Sequence, residues 1–234
     1  MTKQVNGYKI LRFQELNSTN TYAKTLIPSG ENALIVAEKQ TGGRGTKGRS
    51  FSSNAGGIYA TKLTVKSNVK AENAFLIMAN AAVAVCKTLE RFSLSPVIKW
   101  ANDVYVNDRK IAGVLIENTF SGKEISSSIV GVGLNVNNLL EEELSSIAIS
   151  MRQALNKKVP FQAVEKVFFE ELTSVHTMEE YLSRVGYLNR EITLIFGEER
   201  VPARAISVTE QGALVVEIAG KIRQLTAAEV SLVV

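Results

Sequence analysis

The chain has 234 residues, one cysteine, one histidine and a formal net charge of +4, with 45% apolar and 21% charged residues. That is the balance of an ordinary soluble protein; a single cysteine excludes an intramolecular disulfide framework, and with one histidine it excludes a zinc site of the usual cysteine–histidine type. The N-terminus MTKQVNGYK has no apolar signal core and the longest apolar runs are too short to span a bilayer, so a cytoplasmic location without membrane contact is expected.

Tyr8 to Leu16 reads as a strand, after which Ser18 is placed to cap a short helix running through Leu26. Ala33 to Glu38 is a buried-strand candidate that feeds into the run QTGGRGTKGRSF, Gln40 to Phe51. That run holds four glycines and three cations, Arg44, Lys47 and Arg49, with no acid and no aliphatic side chain. Glycines let backbone approach a ligand closely, and the cations supply charge for phosphate or carboxylate oxygens, so the loop reads as a cover for an anion.

Gly57 to Val65 is the next strand, and Ala74, Met78, Ala81, Val85 and Leu89 recur at helical spacing, predicting a long amphipathic helix over Ala71 to Phe92. Cys86 lies beside that apolar stripe and reads as a small buried thiol, not a nucleophile. Strand candidates follow at Val97 to Trp100, Val104 to Val106, Ile111 to Asn118 and Ser126 to Leu134, with turns at Asn107-Asp108 and Gly122-Lys123 that suggest antiparallel hairpins. Phe161 to Leu182 reads as one helix, and the lone His176 as a surface or helix-end residue near its end. From Arg190 short strands (EITLIF, RVPARAISV, ALVVEI, KIRQL) alternate with glycine turns, which predicts a small β-barrel. The larger part lacks regular βαβ alternation, so α+β is the expected class. The expected domains are 1–187 and 188–234.

Polar residues interrupt the strands in four places: the glycine loop, KWAND (Lys99 to Asp103), DRKIAGVLIE (Asp108 to Glu117) and GVGLN (Gly131 to Asn135). Singly each is weak. A GxGxN is mostly a turn, and a lysine before tryptophan is mostly a charged rim beside core. In this order, with Ser18-Thr19-Asn20 upstream, they resemble the biotin–protein ligases: GRGRxGRxW for the loop, KWPND, [RK]K[ILV]xG[ILV]LxE, GxGxN and STN. The resemblance covers nearly the whole chain.

It implies a class II aminoacyl-tRNA-synthetase-like catalytic domain, a mixed sheet packed with helices, followed by an SH3-like β-barrel. It implies activation of biotin by ATP, with Mg²⁺, to biotinyl-AMP and pyrophosphate, then transfer to a lysine of a biotin carboxyl carrier protein. By the same resemblance Lys110, Arg49 and Asp103 are catalytic. Ser18, Thr19, Asn20, Gln40, Arg44, Lys110, Gly113 and Leu115 bind biotin. Arg44, Gly45, Lys47, Arg49, Phe51, Lys99, Trp100, Asn102, Lys110, Gly133 and Asn135 bind ATP or the adenylate; no metal ligand is assigned. Three positions depart from the family pattern: Thr46 stands where a third arginine is usual, Phe51 for tryptophan, and Ala101 for the proline of KWPND.

A lipoate–protein ligase of the same fold is the nearest alternative, but its RRxxGGGxVxHD-like segment is missing. A nucleic-acid-binding or non-catalytic biotin-binding regulatory module is the alternative of another class. Only 17 residues precede Ser18, too few for a DNA-binding domain, so DNA is not an expected partner; a homodimer is left open.

Overall fold

The structure is a computed structural model that describes residues 4–233. Two sheets organise it. The larger has eight strands in the order β1-β2-β3-β4-β8-β7-β6-β5. Its members are β1 (Gln4–Val5), β2 (Tyr8–Leu16), β3 (Ala33–Gln40), β4 (Ile58–Lys70), β5 (Val97–Lys99), β6 (Asp103–Val106), β7 (Arg109–Ser121) and β8 (Glu124–Leu134). Only β2 and β3 pair in parallel, joined over one face by α1 (Thr19–Leu26); the remaining neighbours are antiparallel. Sequence reading finds β2 to β8 because alternation and turn residues mark them. Asn107 and Asp108, both at positive φ (50° and 58°), make the β6–β7 turn.

Strand alternation sends successive side chains to opposite faces, and here the two faces do different work. Leu34, Val36, Ile58, Ala60, Val130, Val132, Leu134, Ala112 and Val114 belong to the main core, under α2 (Ala74–Glu90) and α4 (Phe161–Leu172). Ala33, Ile35, Leu63 and Ile129 form a smaller cluster with Ala23 of α1 on the other face. Gly113, Leu115, Glu117, Gly131 and Gly133 share the parity of that second face.

The stretch Ala71–Glu90 is long and apolar enough to cross a membrane by length and composition, which corrects the expectation that no run is. It opens with a 3₁₀ turn, and its alanine-rich α2 packs against the sheet and α4, as expected of a core helix. Cys86 is fully buried there, and burial pushes its thiol pKa up.

The single helix expected over Phe161 to Leu182 is two. α4 ends at Leu172, and α5 (Met178–Leu182) begins with a capping box between Thr177 and Glu180. In between, Thr173 and Ser174 turn their hydroxyls back onto the carbonyls of Phe169 and Glu170 at 2.7 and 2.8 Å. Such side-chain to backbone bonds compete with helix propagation, and the break follows. His176 lies in this connection and is no surface residue: its side chain is 2% exposed and Nε2 sits 2.9 Å from the Glu171 carbonyl.

A short helix α3 (Met151–Ala154), capped by Ser150, and the edge strand β1 had no sequence reading. The second, smaller sheet is antiparallel and SH3-like, with order β12-β11-β10-β9-β13. Its strands are β9 (Glu191–Phe196), β10 (Glu199–Val208), β11 (Leu214–Ile218), β12 (Lys221–Leu225) and β13 (Ser231–Val233). The first four match the expected strands; β13 is an addition. Buried residues of both sheets form one continuous apolar cluster.

Candidate active site

On the α1 face, Gly113 lies opposite Gly133 and Leu115 opposite Gly131 across the β7–β8 ladder, so four neighbouring positions carry only one side chain. The result is a trough. A Cβ on Gly131 would lie 2.1 Å from Asn20 Oδ1, and one on Gly133 would lie 2.5 Å from the Phe51 ring. Neither approach leaves room for any other residue.

One end of the trough is built by α1 and β3. Ser18 caps α1 through Thr21 N–H, and Thr19 donates from N and Oγ1 to Gln40 Oε1 at 2.9 and 3.0 Å. Thr61 of β4 donates to Asn20 Oδ1 at 2.7 Å. Ser18, Thr19, Asn20 and Thr61 are buried. A fixed set of polar atoms buried at a pocket end can recognise a polar ring by hydrogen bonds.

The other end is built where β6 meets β7. Asn102 is stitched to Val114 in both directions, Nδ2 donating to its carbonyl (2.9 Å) and its own carbonyl accepting from Val114 N–H (3.0 Å). Asn102 Nδ2 also donates to Asp103 Oδ1, which pairs with Lys110 Nζ at 2.8 Å. Lys110 backbone is clamped by Ile147 and Ile149, and its ammonium lies 5.9 Å from the Phe51 ring centroid. Lys110 and Asp103 side chains are 30% and 20% exposed, so the pair is reachable from solvent.

The glycine loop lies over the trough as a small hairpin, with Arg44 bridged to Ser50 and a tip at Lys47 and Gly48, both at positive φ (56° and 74°). Thr46 holds Arg49: its carbonyl and hydroxyl accept from Nε and Nη2, each at 3.4 Å. So closed, the cavity beneath is about 40 Å³, room for a few waters at most. A ligand of ordinary cofactor size needs more room than this, and the glycine loop is one of the elements bordering that space.

Of the residues singled out in the sequence, Ser18, Thr19, Asn20, Gln40, Arg44, Gly45, Phe51, Asn102, Asp103, Lys110, Gly113, Leu115 and Gly133 border this trough. Lys47, Arg49, Lys99 and Trp100 border an adjoining groove of about 380 Å³ that shares Thr46, Asn102 and Asp103 with it and runs to Ala227–Leu232 of the small sheet. Burial lowers the Lys99 pKa, with Lys110 and Arg49 adding to that and Asp103 opposing it.

Three placements differ from the reading of the motifs. Arg44 does not reach the Lys110 end. Its guanidinium contacts Glu117 Oε2 and Thr21 Oγ1, each at 3.4 Å. The Lys110 ammonium leans over Gly113, and Glu117 is four residues further along β7, about 13 Å at the rise of a strand. Asn135 is buried, donating to the Ile149 carbonyl and accepting from Asn138, so its side chain braces the loop after β8 and does not face the trough. Trp100 is also buried. Its indole N–H donates to the Gly212 carbonyl (2.9 Å) and its backbone N–H to Tyr187 Oη (2.8 Å), tying KWAND to the small sheet. The Trp100–Ala101 peptide is cis.

Motif reading gave no role to Glu117, Thr61 or Gly131. Period-two spacing from Gly113 through Leu115 to Glu117 was the available signal for the first. Among the described residues, no three histidine, cysteine, aspartate or glutamate side chains group closely enough to hold a metal ion.

Residues 12–135, over half of the chain, match the Biotin/lipoate A/B protein ligase family, and the chain belongs to that family. Residues 187–233 match the Biotin protein ligase C terminal domain. The bifunctional ligase/repressor BirA of Bacillus subtilis is 29% identical over 98% of this chain and 75% of its own length. The biotin–[acetyl-CoA-carboxylase] ligase of Paracoccus denitrificans is 34% identical over 51% of each chain. Among solved structures, the biotin protein ligase from Aquifex aeolicus in complex with biotin and ATP superposes with a TM-score of 0.77 at 26% identity, covering 96% of this chain and 98% of the other.

Proposed function

We propose that this protein is an ATP-dependent biotin–protein ligase that forms biotinyl-AMP and pyrophosphate, then transfers biotin to a lysine of a carboxylase's biotin carboxyl carrier protein. The observation that carries the reading is the meeting of four separated segments on one trough, with buried polar atoms at one end and the Lys110–Asp103 pair at the other. Residues 1–187 form the catalytic unit and 188–234 the C-terminal unit of this enzyme.

In the first step a biotin carboxylate oxygen attacks the α-phosphorus of ATP and the bond to pyrophosphate breaks. Two anions must approach, so fixed positive charge is needed where they meet. Lys110 supplies it, exchanging Asp103 for the carboxylate and α-phosphate oxygens. Lys47, Arg49 and Lys99 line the adjoining groove and suit the departing pyrophosphate. Mg²⁺ enters with ATP as part of the substrate. Ser18, Thr19, Asn20 and Gln40 hold the ureido ring, Gly113 and Leu115 flank the tail, and Phe51 over Gly133 borders the nucleoside. In the second step the acceptor amine attacks the acyl carbon, the bond to AMP breaks with the electron pair leaving on the phosphate oxygen, and the amine's proton passes to solvent. Asp103, released by Lys110, orients that amine.

The test is pyrophosphate release with ATP, dependent on biotin, followed by transfer to a carrier domain. Lipoate should give neither. Pyrophosphate release that ignores biotin, or responds equally to lipoate, overturns the reading.

Thr46 gives a second expected result. It places a hydroxyl where the family pattern has a cation, and uses it to hold Arg49. Thr46→Arg adds a charged donor over the intermediate, and the off-rate of biotinyl-AMP should fall about tenfold, the worth of one charge-assisted hydrogen bond. An unchanged or faster off-rate in a rapid-dilution measurement refutes a role for Thr46 in leakage.

A further inference from the structure

Glu117 continues the β7 row of Gly113 and Leu115, and three side chains from two elements, α1 and the glycine loop, converge on its carboxylate. Lys24 of α1 pairs with Oε1 at 2.9 Å. Asn20 Nδ2 donates to Oε2 at 3.3 Å, and Arg44 of the glycine loop reaches the same oxygen at 3.4 Å. Arg44 is the loop cation that does not reach the Lys110 end, so the chemistry described above leaves its side chain unused. Glu117 is equally unused. The two meet at the end of the trough bordered by the buried polar atoms, where the loop leaves β3.

We propose that Glu117 is a positioning residue, a latch that holds the glycine loop down over the biotin pocket through Arg44 and must release it each time biotin enters or leaves. The idea rests on the ligase reading and extends it. The cavity of about 40 Å³ is too small for a bicyclic ligand, and the glycine loop bordering it is the element on this proposal that moves to make room. Lifting the base of the loop separates Arg44 from Glu117, because Glu117 stays on the sheet and is fixed there by Lys24 and Asn20. Arg44 and Glu117 side chains are 44% and 28% exposed, so water can take over both charges and the latch opens at modest cost.

A latch made in both the free and the liganded states favours neither, and so it governs rates and not affinity. Glu117→Gln keeps the shape of the side chain and the hydrogen bond to Asn20 but removes the charge. Biotin association and dissociation rates should both rise about fivefold, the size that a partly exposed charged contact supports, while Kd stays within about twofold. General loosening of the site would speed dissociation and leave association unchanged or slower, so the paired change is diagnostic. Arg44→Gln should also raise both rates, and the double variant should be no faster than Arg44→Gln alone.

The experiment is stopped-flow binding of biotin to the full chain, without ATP, for wild type, both single variants and the double variant. An unchanged or reduced association rate in Glu117→Gln overturns the latch, as do additive effects in the double variant. Failure of the wild type to bind biotin at all overturns the ligase reading, and the latch with it.

Discussion

Lys110→Ala lowers biotin-dependent pyrophosphate release by about 10²–10³-fold, the usual loss when one preorganised donor to developing charge is removed. The expectation comes from position. Lys110 is the cation where the trough and the positively lined groove adjoin, and its ammonium is held by Asp103 at 2.8 Å between Phe51 and the β6–β7 corner. No neighbour can take over easily. Arg49 is held by Thr46, and Lys99 leans over the Tyr105 ring with its ammonium 5.1 Å from the centroid. Folding should survive, because both members of the pair are partly exposed and such pairs contribute little to stability. The measurement is single-turnover pyrophosphate release, with thermal unfolding as control; activity equal to wild type sinks the mechanism.

Gly131→Ala abolishes measurable biotin binding at concentrations that saturate the wild type, while costing about 1–3 kcal/mol of stability, the range for overpacking a tight site. The added methyl would sit 2.1 Å from Asn20 Oδ1. Asn20 cannot step aside freely, since Thr61 donates to that oxygen at 2.7 Å and the Asn20 amide reaches Glu117. Helix α1 must shift, and Ser18 and Thr19 shift with it. Gly133→Ala is milder on biotin affinity, because its methyl meets the Phe51 ring on the liftable loop and not a group anchored in the core. Calorimetry with biotin alone distinguishes the two. Normal biotin affinity in Gly131→Ala would remove Asn20 from the pocket's recognition set.

Those two variants also show what a sequence makes legible. Strand β2 and capped helix α1 were readable because alternation and a serine cap are local signals. The break before α5 was less so. Its signal, Thr177 followed by Glu180, lay inside a run that kept apolar residues at helical spacing. The motif segments pointed to the trough only in combination, since singly each reads as well as a turn or a charged rim. Motifs do not say which way a side chain points once the strand has ended. Asn135 follows Gly133 by two residues and shares its parity on paper, yet β8 stops at Leu134 and the chain turns, carrying the amide inward to Asn138. The resemblance assigned Arg44 to both ends of the trough, and its guanidinium lies at the polar one. A loop rich in glycine has no periodicity, so nothing in it told that its first cation lies at the opposite end from its last.

Trp100 stands in the motif that positions Asp103, yet its indole N–H is satisfied by Gly212, which lies 112 residues further on. Tyr181 and Tyr187, the groups behind Ala101 and Trp100, also come from late in the chain. During synthesis, residues 99 to 103 therefore emerge long before anything that can hold their rear side. The corner that carries Asp103 is translated before half of the chain is made, and the groups that back it arrive only with the last quarter.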